Sequence, residues 1–267
     1  MQYIIFPFEW LYDHTIGYLF QLIFFLLSKI LPIKFVTVVT KYSSLFLNGI
    51  KMTLAVSLFG TIFGLVIAIL LASFRTIKLK KKEPLVKKII ITIFQKIIDI
   101  YVTIFRGTPM MVQAMIIYYG LVGIIHFSPA TAGLFIVSIN TGAYLTEVMK
   151  KGIESIDKGE IEASYSLGLS PFKTLIYIIL PAAIKNQMAS IGNEFVINIK
   201  DTSVLNVIGC AEMYFVLKTS ASSDYTYMET MLVGALIYLI ITLSVTKILS
   251  KIDKRIGAPK VEILSSN

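Results

Sequence analysis

The run from Met52 to Phe74 constrains this chain more than any other stretch, because its 23 residues include no ionisable side chain. A helix rises about 1.5 Å per residue, so the run is long enough to cross a bilayer core of about 30 Å. The rest of the chain agrees with this interpretation, since 56% of its residues are hydrophobic and its mean hydropathy is +0.78. A soluble domain has far less apolar composition. The sequence therefore predicts an all-α membrane protein.

The charges that follow this run give it an orientation. Seven basic residues and one acidic residue lie between Arg75 and Lys88, and loops rich in Lys and Arg face the cytoplasm. Applied along the chain, the same rule predicts about five spans and places every basic loop on one side, including a basic cytoplasmic tail at 250–267. The net charge of +9 is explained by these loops, so it does not indicate nucleic-acid binding. After the first span, the predicted spans are 109–127, 131–148, 181–198 and 230–249.

The N-terminal extension, residues 1–41, is harder to place. Residues 16–27 are strongly apolar but short for a span, so they form either an interfacial helix or an extra, tilted membrane helix. We favour the interfacial helix, because the acidic N-terminal end then stays outside. Residues 42–249 form the predicted transmembrane domain, which includes a polar loop at about 150–180.

The sequence offers no set of residues for catalysis or metal binding. Cys210 is the only cysteine, and the two histidines, His14 and His126, lie far apart in the chain. A P-loop of the form GxxxxGK[ST] does not occur, so we expect no nucleotide hydrolysis by this chain. We predict a protein that is not an enzyme and that binds no metal or cofactor of its own.

The polar loop is predicted to be a docking element on the membrane surface, because it forms helices but cannot cross a bilayer. Asp157 or Ser155 can cap a first short helix, and Gly168 can end it in a left-handed turn. Ser170 and the proline after it can then begin a second helix. The small side chains at 163 and 164 leave room for a partner protein. The loop residues that we expect to couple to it are Glu162, Ala163, Ser164, Gly168, Leu180 and Pro181.

Polar residues inside or beside the spans are candidates for a gate or a translocation path. Such side chains are tolerated at membrane depth when they face a bundle interior or an aqueous cavity. For Asn193 and Glu194, a buried network that only joins helices is an equal alternative. The full candidate set is Arg106, Thr108, Pro109, Glu147, Asn193 and Glu194.

Arg106 stands at the joint between an amphipathic helix, predicted over about 85–105, and the next span. The polar stripe of this helix, which includes Asp99, predicts a surface helix half-sunk in the cytoplasmic leaflet. Thr108 can cap the next span and Pro109 fits its first turn, which makes Arg106 a candidate clamp or gate element.

Small residues mark two places where helices approach closely. Gly60 and Gly64 form a small-xxx-small pair that favours a dimer contact weakly, whereas Gly142 and Ala143 are predicted to let helices pack together.

With these residues in place, the chain resembles the membrane-spanning permease subunit of bacterial ATP-binding-cassette (ABC) importers of the polar amino-acid uptake type. The importer loop reads Glu-Ala-Ala, three residues, Gly, nine residues, Ile, one residue, Leu-Pro. Here it reads Glu162-Ala163-Ser164, Gly168, Ile178 and Leu180-Pro181, with Ser164 replacing the second Ala. Further motifs of the amino-acid branch follow in the expected order, namely Phe105-Arg106-Gly107-Thr108-Pro109, Gly142-Ala143-Tyr144 with Glu147, Lys158-Gly159, Gly192-Asn193-Glu194-Phe195 and Lys200-Asp201-Thr202-Ser203.

The resemblance implies a function and a set of partners. The chain is expected to move a polar amino acid across the bacterial cytoplasmic membrane, with a cytoplasmic C-terminus and with the 162–181 loop seated on an ABC ATPase dimer. That ATPase would bind ATP and Mg²⁺. The other implied partners are a second permease subunit, identical or not, an extracytoplasmic solute-binding protein and the lipid bilayer. Two alternatives stay open at this point: import of another small polar solute, or a membrane scaffold or sensor that moves no solute.

Overall fold

The computed structural model describes residues 33–77, 79, 83–121 and 128–256, with only the backbone at 33 and 34. Among these residues the ordered elements are all helical and no β-strand occurs, which confirms the predicted class. A π-helical segment, Leu175–Ile179, and a 3-10 segment, Thr202–Ile208, precede and follow one of the long helices. The α-helices are α1 (Ile33–Arg75), α2 (Leu85–Gly107), α3 (Met110–Leu121), α4 (Pro129–Glu154), α5 (Lys158–Ser166), α6 (Pro171–Thr174), α7 (Leu180–Asp201), α8 (Met213–Asp224) and α9 (Tyr227–Ile256).

Four helical segments are long and apolar enough to cross a membrane by length and composition: Phe35–Arg75, Pro129–Glu154, Pro171–Ile208 and Tyr227–Ile256. A fifth apolar helix, α3, has 12 residues and ends at Leu121. Residues 122–127 lie outside the described residues, together with 1–32 and 257–267. Each of the five predicted spans therefore corresponds to a helix. The possible extra helix at 16–27 stays a prediction.

Helix α1 is much longer than the uncharged run that predicts it. Its 43 residues measure about 64 Å, roughly twice the thickness of a bilayer core. The N-terminal half packs against α8 and α9 in one buried apolar cluster, which includes Phe46, Leu217 and Ile237. Lys41 lies in this half and its Nζ forms a 2.6 Å salt bridge with Asp224 at the end of α8. The predicted division between residues 41 and 42 falls inside this helix.

Helices α1 and α4 form the most extensive helix pair, and glycines bring them together. A Cβ atom added at Gly60 would lie 2.5 Å from Cγ1 of Val137, and one added at Gly64 would lie 2.9 Å from Cβ of Thr141. These two glycines therefore pack against a helix of the same chain, which corrects their interpretation as a dimer contact. Gly142 is equally crowded, with Tyr101 Oη 2.9 Å from an added Cβ atom, so its predicted packing role is confirmed.

Candidate functional site

The predicted docking loop folds as a helical hairpin made of α5, α6 and the π-helical segment. Asp157 caps α5, since its carboxylate accepts a 2.6 Å hydrogen bond from the Gly159 amide. Ser155, the other candidate cap, instead donates its hydroxyl to the Gly152 carbonyl at the end of α4. Gly168 has the left-handed backbone conformation predicted for it, with φ of +78°. Ser170 caps α6 by accepting from the Lys173 amide at 3.3 Å.

Ser164 holds the two arms of this hairpin together. It is 3% exposed, and its hydroxyl lies 2.9 Å from that of Thr174, which is also buried. The side chain of Ser164 therefore points into the hairpin, and its coupling role stays a prediction. Glu162 and Ala163, in contrast, are exposed on the outer side of α5.

The tip of the hairpin carries apolar side chains in an otherwise polar segment. Leu167 is 83% exposed and Phe172 is 71% exposed, and they flank the turn at Gly168. Tyr165 and Tyr177 add further exposed aromatic surface. Contiguous exposed apolar side chains of this kind mark surfaces that bind another protein. These exposed side chains form a candidate contact surface, and docking itself stays a prediction.

The base of the hairpin is fixed to the long helices. Leu180 is buried in a cluster with Met149 and Ile153 of α4 and Ala183 of α7. Pro181 lies in the first turn of α7 and is exposed. Leu180 is therefore a packing residue that joins the base of the hairpin to α4 and α7.

Glu147 forms an ion pair with Arg75 Nη1. Arg75 Nε lies 2.7 Å from Asp99 Oδ1, so one guanidinium joins α4, α1 and α2. The surface-helix interpretation predicts that Asp99 is freely solvated. The ion pair with Arg75 corrects that prediction. The α1–α2 connection is reinforced by Gln95, whose amide donates to the Ile77 carbonyl at 3.0 Å and to the two carbonyls at 74 and 75.

Arg106 is exposed at the end of α2, and its guanidinium carbon lies 5.5 Å from the centre of the Tyr144 ring. This is within the range of a cation–π contact. Arg106 also interacts electrostatically with both Glu147 and Glu194. The structure therefore brings together three predicted path residues, from α2, α4 and α7.

Thr108 does not act as the predicted cap of the next helix. Its hydroxyl donates to the Ile104 carbonyl at 2.8 Å and accepts from the side-chain amide of Gln113 at 2.8 Å. The Gln113 carbonyl in turn accepts from Asn140 at 2.8 Å, which ties the α2–α3 joint to α4. Pro109 begins the turn that leads into α3, and its carbonyl accepts from the amide of Gln113 at 3.2 Å.

The buried polar network of the fourth predicted span is made by Asn198, not by Asn193 and Glu194. The Asn198 amide donates to Thr61 at 2.8 Å and to Thr141 at 2.9 Å, which links α7 to α1 and α4. Asn193 and Glu194 are partly exposed, and they make no side-chain hydrogen bond within the described part of the chain.

Several residues that organise this region escape sequence reasoning. Arg75 is visible only as a topological signal, and Gln113 and Asn198 are single amides without a spacing that marks them. Asn140 is visible as the first residue of a polar stretch on its span, but its partner Gln113 is not. The signal that would find them is pairing between distant segments, which one sequence does not contain. Among the described residues no group of His, Cys, Asp and Glu is arranged to hold a metal ion.

Comparison with known proteins gives a consistent result. Residues 91–258 match the family described as binding-protein-dependent transport system inner membrane component. The chain is 35% identical over 214 residues to the glutamine transport system permease protein GlnP of Escherichia coli K12, covering 79% of this chain and 92% of that protein. It is 31% identical over 212 residues to the arginine transport system permease protein ArtQ of Bacillus subtilis, covering 79% and 91%.

Two solved structures share the fold. The crystal structure of an amino acid ABC transporter with histidines superposes with a TM-score of 0.71 and 30% identity, covering 84% of this chain and 100% of that one. An inward-facing form of the MetNI methionine ABC transporter superposes with a TM-score of 0.67. The superposition covers 81% of this chain and 98% of that one, with a sequence identity of 15%. At this identity, the similarity supports the fold alone.

Proposed function

Because this chain belongs to the family of binding-protein-dependent transport system inner membrane components, we propose that its hairpin couples amino-acid import to ATP hydrolysis by a separate ATPase. The chain itself is the permease subunit of an amino-acid ABC importer. The observation that carries the coupling proposal is the hairpin. It presents exposed Leu167 and Phe172 at its tip and is anchored by buried Leu180 at its base.

Coupling follows from rigid connections. An ATPase dimer that holds the tip of the hairpin would move when it closes on ATP and Mg²⁺, and the hairpin would move with it. The Ser164–Thr174 contact keeps α5 and α6 together, so the hairpin transmits the displacement as one body. The Leu180 cluster then carries it to α4 and α7, the helices that bear Glu147 and Glu194. A switch between inward- and outward-open states would therefore move Glu147 and Glu194 together with the helices that carry them.

The substrate proposed is a polar amino acid, of which glutamine and arginine are examples from the named relatives. A zwitterion needs an acidic partner for its ammonium group and a basic partner for its carboxylate. Glu194 and Asn193 bind the ammonium group. Arg106, at the joint of α2 and α3, binds the carboxylate. Glu147 belongs to the gate, because its carboxylate is already held by Arg75.

The working assembly proposed has two permease subunits, two ATPases and an extracytoplasmic solute-binding protein. It lies in the bacterial cytoplasmic membrane, with the hairpin and the C-terminus of the permease facing the cytoplasm. The basic residues 247–256 of α9 agree with this orientation.

The test is uptake of labelled amino acids by proteoliposomes that contain the complete complex, with a Leu167→Asp variant for comparison. An acidic group at an exposed apolar position leaves the fold intact but disfavours an apolar interface, so ATP-driven uptake should fall about tenfold or more. Tyr225→Asp is the matched control, because Tyr225 is 89% exposed and lies between α8 and α9, outside the hairpin. Uptake that is unchanged in Leu167→Asp would contradict the docking role of the hairpin.

A further inference from the structure

One face of α7 carries a row of polar side chains. The row repeats every three or four residues, so its members lie on one side of the helix. All of them are half-buried or exposed, whereas Ile191, Asn198 and Ile199, on the side turned away from the row, are buried. We refer to this surface as the α7 row; it consists of Asn186, Ser190, Asn193, Glu194 and Asp201.

The α7 row extends through most of the depth of a membrane. Asn186 and Asp201 mark its ends and lie about 22 Å apart along the helix axis. A hydrocarbon core is about 30 Å thick. Amide and carboxylate groups that face acyl chains are costly, so polar side chains at this depth face a bundle interior or a water-filled cavity. The α7 row is therefore turned away from lipid.

The neighbouring helix α4 shows how polar side chains are accommodated inside the bundle. Asn140 of α4 is buried and donates to Gln113, while Thr141 of α4 is buried and accepts from Asn198. The α7 row remains accessible from outside the chain. It is therefore covered by water or by a second subunit, and not by the bundle of this chain.

The charges of the α7 row favour water as its cover. Glu194 and Asp201 lie two turns apart on the same side of the helix and interact electrostatically with each other. If this row packed against the same row of a second copy of the chain, four carboxylates would meet in a region without water. Like charges repel more strongly there than in water, and each carboxylate would also lose its hydration.

Contact with α4 gives the depth of the row's members. A Cβ atom added at Gly152 would lie 2.7 Å from Cγ of Gln187, so these two positions are at the same level. Ser190 lies three residues from Gln187 and Glu147 lies five residues from Gly152, both away from the hairpin. Ser190 and Glu147 are therefore within about 3 Å of each other in depth. Asn186 lies one turn closer to the hairpin.

The row is continuous with the residues proposed to bind the solute. Arg106 interacts electrostatically with Glu194, and Ser190 and Asn186 follow one and two turns away on the same side of α7. A solute that leaves Glu194 towards the hairpin would meet the Ser190 hydroxyl and then the Asn186 amide. Both groups donate and accept hydrogen bonds, so they can bind an ammonium or a carboxylate group without a charge that would retain it.

We propose that the α7 row lines a water-filled path, and that Ser190 and Asn186 contact the polar groups of the amino acid between Glu194 and the cytoplasm. The identity of the solute and its direction rest on the proposed function. The water-filled path rests on the composition and the accessibility of α7.

The first test measures the access of water to cysteines in the complete complex, held in bilayer nanodiscs. Ser190→Cys, Asn186→Cys and Leu70→Cys are made on a Cys210→Ser background; Cys210 is buried. A charged methanethiosulfonate reagent that does not cross membranes reacts with the thiolate, whose formation apolar surroundings suppress. Cysteines at 190 and 186 should react about tenfold faster than the one at 70, because each unit of thiol pKa changes the thiolate fraction tenfold.

Leu70 is the matched control for depth. It is 57% exposed in the uncharged run of α1. Gly64 of α1 packs on Thr141 of α4, and Leu70 and Glu147 each lie six residues further along these helices. Rates are measured with and without ATP, so that both inward- and outward-open states are sampled. A rate at position 190 or 186 that stays as slow as at 70 in both conditions would overturn the proposal, whether lipid or another subunit covers the row.

The second test asks whether the solute passes these positions. The reagent is attached to Ser190→Cys in the assembled complex, and ATP-driven uptake of a labelled amino-acid mixture is measured in proteoliposomes. A bulky cation in the path should abolish uptake, while the Leu70→Cys complex treated in the same way retains it. Unchanged uptake after complete labelling at 190 would contradict contact with the solute. Absence of uptake before labelling would count against the proposed function, and the reaction rates of the first test would still decide whether the path is water-filled.

Discussion

Individual side chains in this protein act mainly by joining helices. Arg75 is the clearest case, because one guanidinium binds carboxylates from two other helices, and its side chain is only 16% exposed. A partner left behind when such a pair is broken remains partly desolvated, and that costs more than the pair itself contributes.

Replacing Arg75 by Gln should therefore destabilise the chain by about 2 kcal/mol. Glu147→Gln alone should cost less, since Arg75 keeps Asp99. The measurement is thermal unfolding of the reconstituted protein, and the double variant completes a mutant cycle. Additive effects of the two single changes would show that Arg75 and Glu147 are not coupled.

A second prediction for a single residue concerns Ser164. Because its hydroxyl joins Thr174 inside the hairpin, Ser164→Ala should lower stability by about 1 kcal/mol while uptake persists. Ser164→Leu should abolish coupling, since the site is 3% exposed and has no room for a larger side chain. Thr174→Val provides the comparison from the other side of the contact. Normal uptake by Ser164→Leu would contradict the packed hairpin.

At the scale of helices, close approach of α1 and α4 depends on glycine. Gly60→Ala adds a Cβ atom 2.5 Å from Val137 Cγ1, so it should destabilise the chain by about 1–3 kcal/mol. Gly120→Ala is the matched control, because no atom of the described residues lies within 4 Å of the added carbon, and alanine favours a helix over glycine. Unfolding of both variants in the same vesicles checks the prediction. A Gly60→Ala variant as stable as Gly120→Ala would contradict the observed packing.

Helix positions and hairpin caps follow from local rules, and those parts of the fold are predictable from the sequence. The uncharged run finds the membrane part of α1, while Asp157, Gly168 and Ser170 predict the hairpin turn by turn. Local sequence rules do not predict a side chain's environment when that environment depends on a residue far away in the chain. The division predicted between residues 41 and 42 falls inside α1, where Lys41 pairs with the distant Asp224. In the same way Ser164 looks like an exposed small residue until Thr174 is placed beside it.

The candidate path is partly predictable for the same reason. Motif and depth single out Arg106, Glu147 and Glu194, and the structure brings them together. Their roles differ, however, because Arg75 holds Glu147 and leaves Glu194 without a hydrogen-bonded side-chain partner among the described residues. Which carboxylate is engaged depends on a residue 72 positions away, and no local pattern contains that information.

At the scale of the whole molecule, the hairpin is joined through the Leu180 cluster to α4 and α7, the helices that carry Glu147 and Glu194. Both ends of this connection lie in one chain, so a change at the tip of the hairpin should alter transport without disturbing the path. Gly168 and Gly209 allow a controlled comparison. Both have φ of +78°, and no atom in the described part of the chain lies within 4 Å of a Cβ added at either position. Only Gly168 lies in the hairpin.

The most direct measurement is ATP-driven uptake by the complete complex carrying Gly168→Asp or Gly209→Asp. Both changes impose the same kind of backbone strain, of about 1–2 kcal/mol. We predict that Gly168→Asp abolishes uptake while the subunit remains folded, and that Gly209→Asp retains most of it. Equal uptake by the two variants would contradict coupling through the hairpin.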